Sequence, residues 1–162
     1  MLMMILINLK MQEKQILMFN YKVVRELNYS DKQMFDLIID VKKYPEFLPW
    51  CKSTNVYEKK SNIFYSDMEI GFSLIKESFT SKVTSVNSEK ILSEAISGPF
   101  NKMNNIWDIK KTDKNKCEIT LNIEFDFKSL ILKNLMGKLF EVASIKMIEA
   151  FEDRANYLYN NN

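Results

Sequence analysis

Between Cys117 and Phe127 the sequence alternates without a break. Cys117, Ile119, Leu121, Ile123, Phe125 and Phe127 are apolar, and Glu118, Thr120, Asn122, Glu124 and Asp126 between them are polar. Successive side chains of a strand point to opposite faces, so this segment is a strand with one dry and one wet face, as in an antiparallel sheet covered on one side. The cover follows in the sequence. From Ser129 to about Tyr159 the apolar positions Leu132, Leu135, Met136, Leu139, Phe140, Ala143, Met147, Ala150, Phe151 and Leu158 recur at three-and-four spacing, the stripe of an amphipathic helix. At ~1.5 Å per residue such a helix is about 45 Å long, enough to lie across a whole sheet. Gly137 interrupts it and marks a place for a bend.

The preceding chain supplies the rest of the sheet. Residues 21–28 alternate and read as a strand. Ser30 and Gln33 then stand at the spacing of a capping box, opening a helix whose apolar positions Met34, Phe35, Leu37, Ile38 and Val41 share a stripe and which Pro45 stops near Lys43. Pro45 and Pro49 bracket Phe47 and Leu48 in a fixed turn or single helical turn that presents aromatics. Extended segments follow at 52–60, 62–72, 74–87, 90–97, 102–111 and 116–127, with short polar joints, and read as a meander. The fold class is therefore α+β: a helix-grip arrangement, with a curved antiparallel sheet of about seven strands wrapped around a long C-terminal helix. Residues 18–159 form one domain and 160–162 a tail, while 1–17 offer no cap or periodic core face and read as a disordered or short helical extension, or as residues before a native start at Met18. Met1 to Ile7 is too short an apolar run for a span and lacks the preceding positive charge of a signal peptide.

Composition narrows the chemistry. The chain has no histidine, which removes the usual general base and the usual zinc ligand, and with them Ser-His-Asp triads. Cys51 and Cys117 are far apart and form no metal spacing, so they read as free thiols. A net charge of +2, with lysine pairs scattered along the chain, gives no basic face for DNA. We therefore expect no histidine-based catalysis and no metal site.

A sheet curved around a helix leaves a gap. A typical pocket of ~300–1,000 Å³, left dry and empty, costs roughly 24 cal/mol per Å³, or about 10 kcal/mol at ~400 Å³. That rivals a whole domain's stability of ~5–15 kcal/mol. The gap must be narrowed by side chains, wetted, or filled by an apolar guest.

Several motifs in one order carry a resemblance. They run from Tyr29-Ser30 and Gln33-Met34-Phe35-Asp36-Leu37 through Asp40-Val41 and Tyr44-Pro45 to Phe47-Leu48-Pro49-Trp50-Cys51. They continue through Gly71-Phe72, Glu77-Ser78-Phe79-Thr80-Ser81, Gly98-Pro99-Phe100 and Trp107, and end in Gly137, Phe140, Met147, Ala150-Phe151 and Arg154-Ala155. Over residues 18 to 159 the chain resembles the coenzyme Q-binding START-like family of the polyketide cyclase and lipid-transport superfamily, whose bacterial members are also described as ribosome association toxins. Met103 departs from it conservatively, standing where a Leu is usual.

The resemblance implies a carrier that binds ubiquinone or another polyprenyl lipid in support of quinone biosynthesis or respiration. It would be cytoplasmic and touch the inner face of the membrane transiently. Ubiquinone would be a bound ligand rather than a catalytic cofactor, and with no bond made or broken the chain would not be an enzyme. The candidate ligand contacts are Phe47, Leu48 and Trp50 in the turn, Phe72, Phe79, Phe100, Trp107 and Phe125 on the strands, and Leu139, Phe140, Ala143 and Met147 on the last helix. Ala143, small between Phe140 and Met147, is expected to leave room for the ligand. The same resemblance offers two alternatives: a partner that blocks the joining of ribosomal subunits, and a cyclase-like enzyme using Tyr65, Glu77 or Arg154.

Overall fold

The structure is a computed structural model and describes residues 3–4, 18–72 and 74–160. The extension expected at 1–17 therefore lies, apart from Met3 and Met4, outside the described residues, as do the last two residues of the tail. Strand β1 (Phe19–Leu27) leads into helix α1 (Asp31–Ile39), a 3-10 turn (Val41–Lys43) and the short helix α2 (Tyr44–Phe47). Six strands follow, β2 (Cys51–Lys60), β3 (Ile63–Phe72), β4 (Ile75–Val86), β5 (Lys90–Ser97), β6 (Phe100–Asp113) and β7 (Lys116–Phe127), then helix α3 (Leu130–Tyr159). All seven strands form one antiparallel sheet in the order β1-β7-β6-β5-β4-β3-β2. The helix-grip architecture expected from the sequence is thus the architecture of the chain.

The ends of the elements have local causes. Ser30 Oγ accepts from the Gln33 amide at 3.2 Å while Gln33 Oε1 accepts from the Ser30 amide at 2.9 Å, so the capping box closes as the sequence predicts. Helix α1 stops four residues earlier than expected, at Ile39 rather than Lys43, because Asp40 leaves the helical region with φ −82° and ψ 65°. The Tyr44 hydroxyl donates to the freed Ile38 carbonyl at 2.6 Å, and Thr54 Oγ1 donates to that of Val41 at 3.2 Å. Gly98 turns β5 into β6 at φ 112°, and a Cβ there would sit 2.5 Å from that of Phe79, so only glycine fits.

Helix α3 runs unbroken through Gly137. Ser129 Oγ caps it, accepting from the Leu132 amide at 3.4 Å. Its second half buries Ser144, Ile148, Phe151 and Ala155, whereas at its start Leu130 and Ile131 are 63% and 78% exposed. The main core lies under that second half, where Met34 and Ile38 of α1 meet Ile119 and Leu121 of β7. Among the described residues no helix is long and apolar enough to cross a membrane.

Candidate ligand cavity

Two aromatic clusters divide the space between sheet and helix. One centres on Phe151, whose ring lies 4.9 Å from Trp107, 5.1 Å from Phe47 and 5.4 Å from Tyr44. The other centres on Phe125, 4.6 Å from Phe140, 5.0 Å from Phe19 and 5.1 Å from Phe127, with Phe100 and Phe79 continuing it toward β4. Such tilted and edge-on pairs hold each ring in place as well as burying it. A partly enclosed cavity of about 200 Å³ remains, with its floor on β3 to β7 and its end closed by Ile38, Val41, Tyr44 and Leu48.

Seven of the predicted contacts come together in the lining: Leu48, Trp50, Phe79, Phe100, Trp107, Phe125 and Met147. The others are placed elsewhere. Phe47 backs the Phe151 cluster and lines an open outer groove of about 400 Å³ between α2 and α3, whose walls also carry Lys146, Glu149, Asp153 and Arg154. Phe140 packs on Phe19, Tyr21 and Phe125, behind the lining. Leu139 and Ala143 are half-buried on α3 and belong neither to the lining nor to the side chains packed on the core. Phe72 ends β3, and its side chain lies outside what the structure describes.

The cavity is smaller than the ~300–1,000 Å³ of a typical pocket, and bulky side chains stand in its wall from both layers, Trp107 and Phe127 from the sheet and Met136 from α3. Left dry and empty, it would still cost about 5 kcal/mol at ~24 cal/mol per Å³. A cavity of ~150 Å³ holds benzene, so this one takes a substituted ring with a short part of any tail.

Sequence reasoning missed the polar part of the lining. Ser66, Ser81, Ser93 and Asn105 share the concave face with their apolar neighbours Phe64, Met68, Val83, Ile91 and Trp107. Ser66 and Ser81 are buried, and Asn105 Oδ1 is buried without a hydrogen-bond partner, an omission that costs about 1–3 kcal/mol in a closed interior. Their signal was present in the sequence: each is a polar residue in phase with a dry face.

Among the described lining residues Tyr44 is the one that ionises in water, and burial first, then nearby Cys51 and Asp40, push its hydroxyl far above its usual range. Its proton is committed to the Ile38 carbonyl. Burial pushes the thiols of Cys51 and Cys117 up to about 11, and neither faces the cavity. Tyr65, Glu77 and Arg154, the acid–base candidates, are not in the lining either. Arg154 lies on the outer side, its Nη2 donating to Glu46 Oε2 at 2.6 Å and its guanidinium covering the Phe47 ring at 5.5 Å. Hydrogen bonds from Lys43 and then Arg154 hold the exposed Glu46 carboxyl below its usual range.

This apolar chamber under a gripping helix has relatives. The family of polyketide cyclase/dehydrase and lipid transport proteins matches residues 27–152. The chain belongs to that family. Within it, the ribosome association toxin RatA of Pseudomonas aeruginosa is 34% identical over 133 residues, 82% of this chain and 92% of that protein. The mitochondrial coenzyme Q-binding protein COQ10 homolog B of Xenopus laevis is 27% identical over 143 residues, 86% of this chain and 59% of that one. Among solved structures, an aromatase/cyclase from Streptomyces sp. R1128 superposes with a TM-score of 0.77 over 86% of this chain and 94% of its own, at 12% identity, a likeness of fold alone. The description of the family thus covers polyketide cyclases and dehydrases as well as lipid transport proteins.

Proposed function

We propose that the chain is a non-catalytic carrier that encloses the ring and first isoprene units of ubiquinone or a related polyprenyl lipid. The observation that carries this reading is the lining itself: a ring-sized apolar chamber in which no described carboxylate, amine or thiol is aimed at a guest. General acid–base catalysis needs a titratable group within hydrogen-bond reach of the reacting atom, so the lining favours holding over conversion. The coenzyme Q-binding name of the Xenopus laevis relative supports the same ligand class. A prenyl tail supplies the affinity, since each buried CH₂ contributes ~0.8 kcal/mol and a five-carbon unit ~3–4 kcal/mol.

The ligand acts without a catalytic cofactor, and exchange takes place at the cytoplasmic face of a membrane. Exposed Leu74, Leu130 and Ile131, with Lys76 and Lys128 beside them at one end of the sheet, suit brief contact with an anionic bilayer. A tail series tests the reading. Quenching of tryptophan fluorescence by quinones with zero, one, two and ten isoprene units should show affinity rising steeply over the first one or two and then levelling off. Equal affinity for the tailless quinone would overturn it.

A second reading, contact with a ribosomal subunit, is favoured by the name of the Pseudomonas aeruginosa relative and by one structural feature. The β6–β7 hairpin brings exposed Lys110, Lys111, Lys114 and Lys116 to one tip, a density of charge suited to RNA phosphates. Subunit binding that falls steeply with salt, and that vanishes when the four lysines become glutamine, would establish it beside the first.

A further inference from the structure

Across the floor of the cavity the four polar residues form a continuous row. Ser66 of β3 stands directly opposite Ser81 of β4, and Ser93 of β5 directly opposite Asn105 of β6. Val83, two residues beyond Ser81, faces Ser93, so the two pairs are joined by one diagonal step. At ~4.8 Å between strands the row is roughly 14 Å long, more than a single aromatic ring needs. On the β7 side it stops, where Asn105 faces Ile123. In an ordinary core these positions would hold valine or isoleucine. Here, beside buried Ser66 and Ser81, the row ends in a carbonyl oxygen, Asn105 Oδ1, that is buried and accepts nothing.

We propose that this row is the seat for a ring hydroxyl, which donates a hydrogen bond to Asn105 Oδ1 with Ser93 alongside, so that the ligand is a phenol or quinol with an apolar substituent, for ubiquinone its reduced form, rather than a hydrocarbon or a fully etherified ring. The proposal rests on the reading of the cavity as a lipid chamber and adds which end of the lipid enters and in what form. With the Asn105 amide oriented as in the structure, its unpartnered end is the acceptor Oδ1, and an acceptor in an apolar chamber selects for a donor. A ligand without one leaves Oδ1 as unsatisfied as in the empty protein, whereas a hydroxyl is stripped of water and repaired in the same step. The hydroxylated ring therefore seats on β5 and β6, and its substituent runs among the aromatic side chains.

Small probes separate the two layers of the argument. The full chain is titrated, followed by amide NMR, with 4-propylphenol, 4-propylanisole and propylbenzene, which share shape and differ in the donor. Asn105→Leu should weaken 4-propylphenol by about 10-fold, one net hydrogen bond, and leave propylbenzene within about 2-fold. Its ligand-free melting temperature should rise, because an orphan acceptor has been removed. Ser93→Ala, which takes away a hydroxyl and little volume, should weaken 4-propylphenol alone and by less, and serves if the leucine variant does not fold. If either variant changes both probes by one factor, or if 4-propylanisole binds the wild type as tightly as 4-propylphenol, the hydroxyl seat is wrong. A wild type that binds propylbenzene but not the phenol overturns the seat and leaves the chamber standing. One that binds none of the probes overturns both.

Discussion

On the β7 side of the concave face, every inward residue from Cys117 to Phe127 is apolar and buried, and Ile119 and Leu121 are 1% and 0% exposed. On the β3 to β5 side the same two-residue period runs, yet Ser66, Ser81 and Ser93 replace branched aliphatics and the floor borders a void. The helix above repeats the contrast. Its second half, from Ser144 on, is locked by Ile148, Phe151 and Ala155, while its first half is only half-covered. Both sides line the void, but β7 does so with the bulky, buried side chains of Ile123, Phe125 and Phe127, while the β3 to β5 side gives up packing for binding space, a division common in proteins whose functional elements come from their less stable parts.

The largest effect should come from the sealed side. Phe151→Ala removes the centre of the first aromatic cluster and should cost about 3–5 kcal/mol in urea unfolding, whereas Met68→Ala, on the wall of the void, should cost about 2 kcal/mol because the side chain already lacks neighbours on one side. Equal losses would break the comparison. Gly98→Ala should cost about 1–3 kcal/mol, since a left-handed backbone and a 2.5 Å approach to Phe79 leave a methyl no room. Hydrogen exchange should then rise in β4 to β6 while β7 stays protected.

Gly137→Ala should act in the opposite direction, stabilising by about 1 kcal/mol, because the added Cβ would meet the Phe19 ring at an ordinary 3.5 Å and the helix gains backbone order. A loss instead would mean that the loose half of α3 needs its freedom. The smallest effect is acid-dependent. Burial raises the Asp126 carboxyl, but Lys133, 2.8 Å away, and Asn101, 2.7 Å away, outweigh it and leave the group more acidic than the ordinary 3.8. Its contribution is complete above 3.8 and is lost as the pH falls through the lower folded value. Exchange in the first turns of α3 should therefore accelerate in that acid window, and Asp126→Asn should remove the acceleration.

Period and order made the fold legible. The unbroken alternation of 117–127, the capping box at Ser30 and Gln33 and the long stripe after Ser129 each specify an element, and all three stand in the structure. Where α1 ends was not legible, because the bonds that end it come from Tyr44 and from Thr54 of β2, a contact set by the tertiary fold. The site was legible in part. Strand aromatics such as Phe79, Trp107 and Phe125 declare their face by alternation, whereas a helix stripe 100° wide does not tell its centre from its margin. For that reason Met147 reaches the cavity while Leu139 and Ala143 do not. The serines and Asn105 were passed over because polar residues in strands are ordinarily read as wet, although their phase was dry.

The central claim is that the void is a lipid's place rather than a packing defect. Val83, buried on β4 and facing the cavity, is the position to fill. Wild type and Val83→Phe are purified in parallel without detergent, their melting temperatures are compared, and the lipids they carry are identified by mass spectrometry. The account predicts a prenylated ring at near one per chain on the wild type, and an equally stable variant that carries none. A bare wild type, a variant that retains the same lipid, or one destabilised by the ~1–3 kcal/mol of an overpacked core would contradict it.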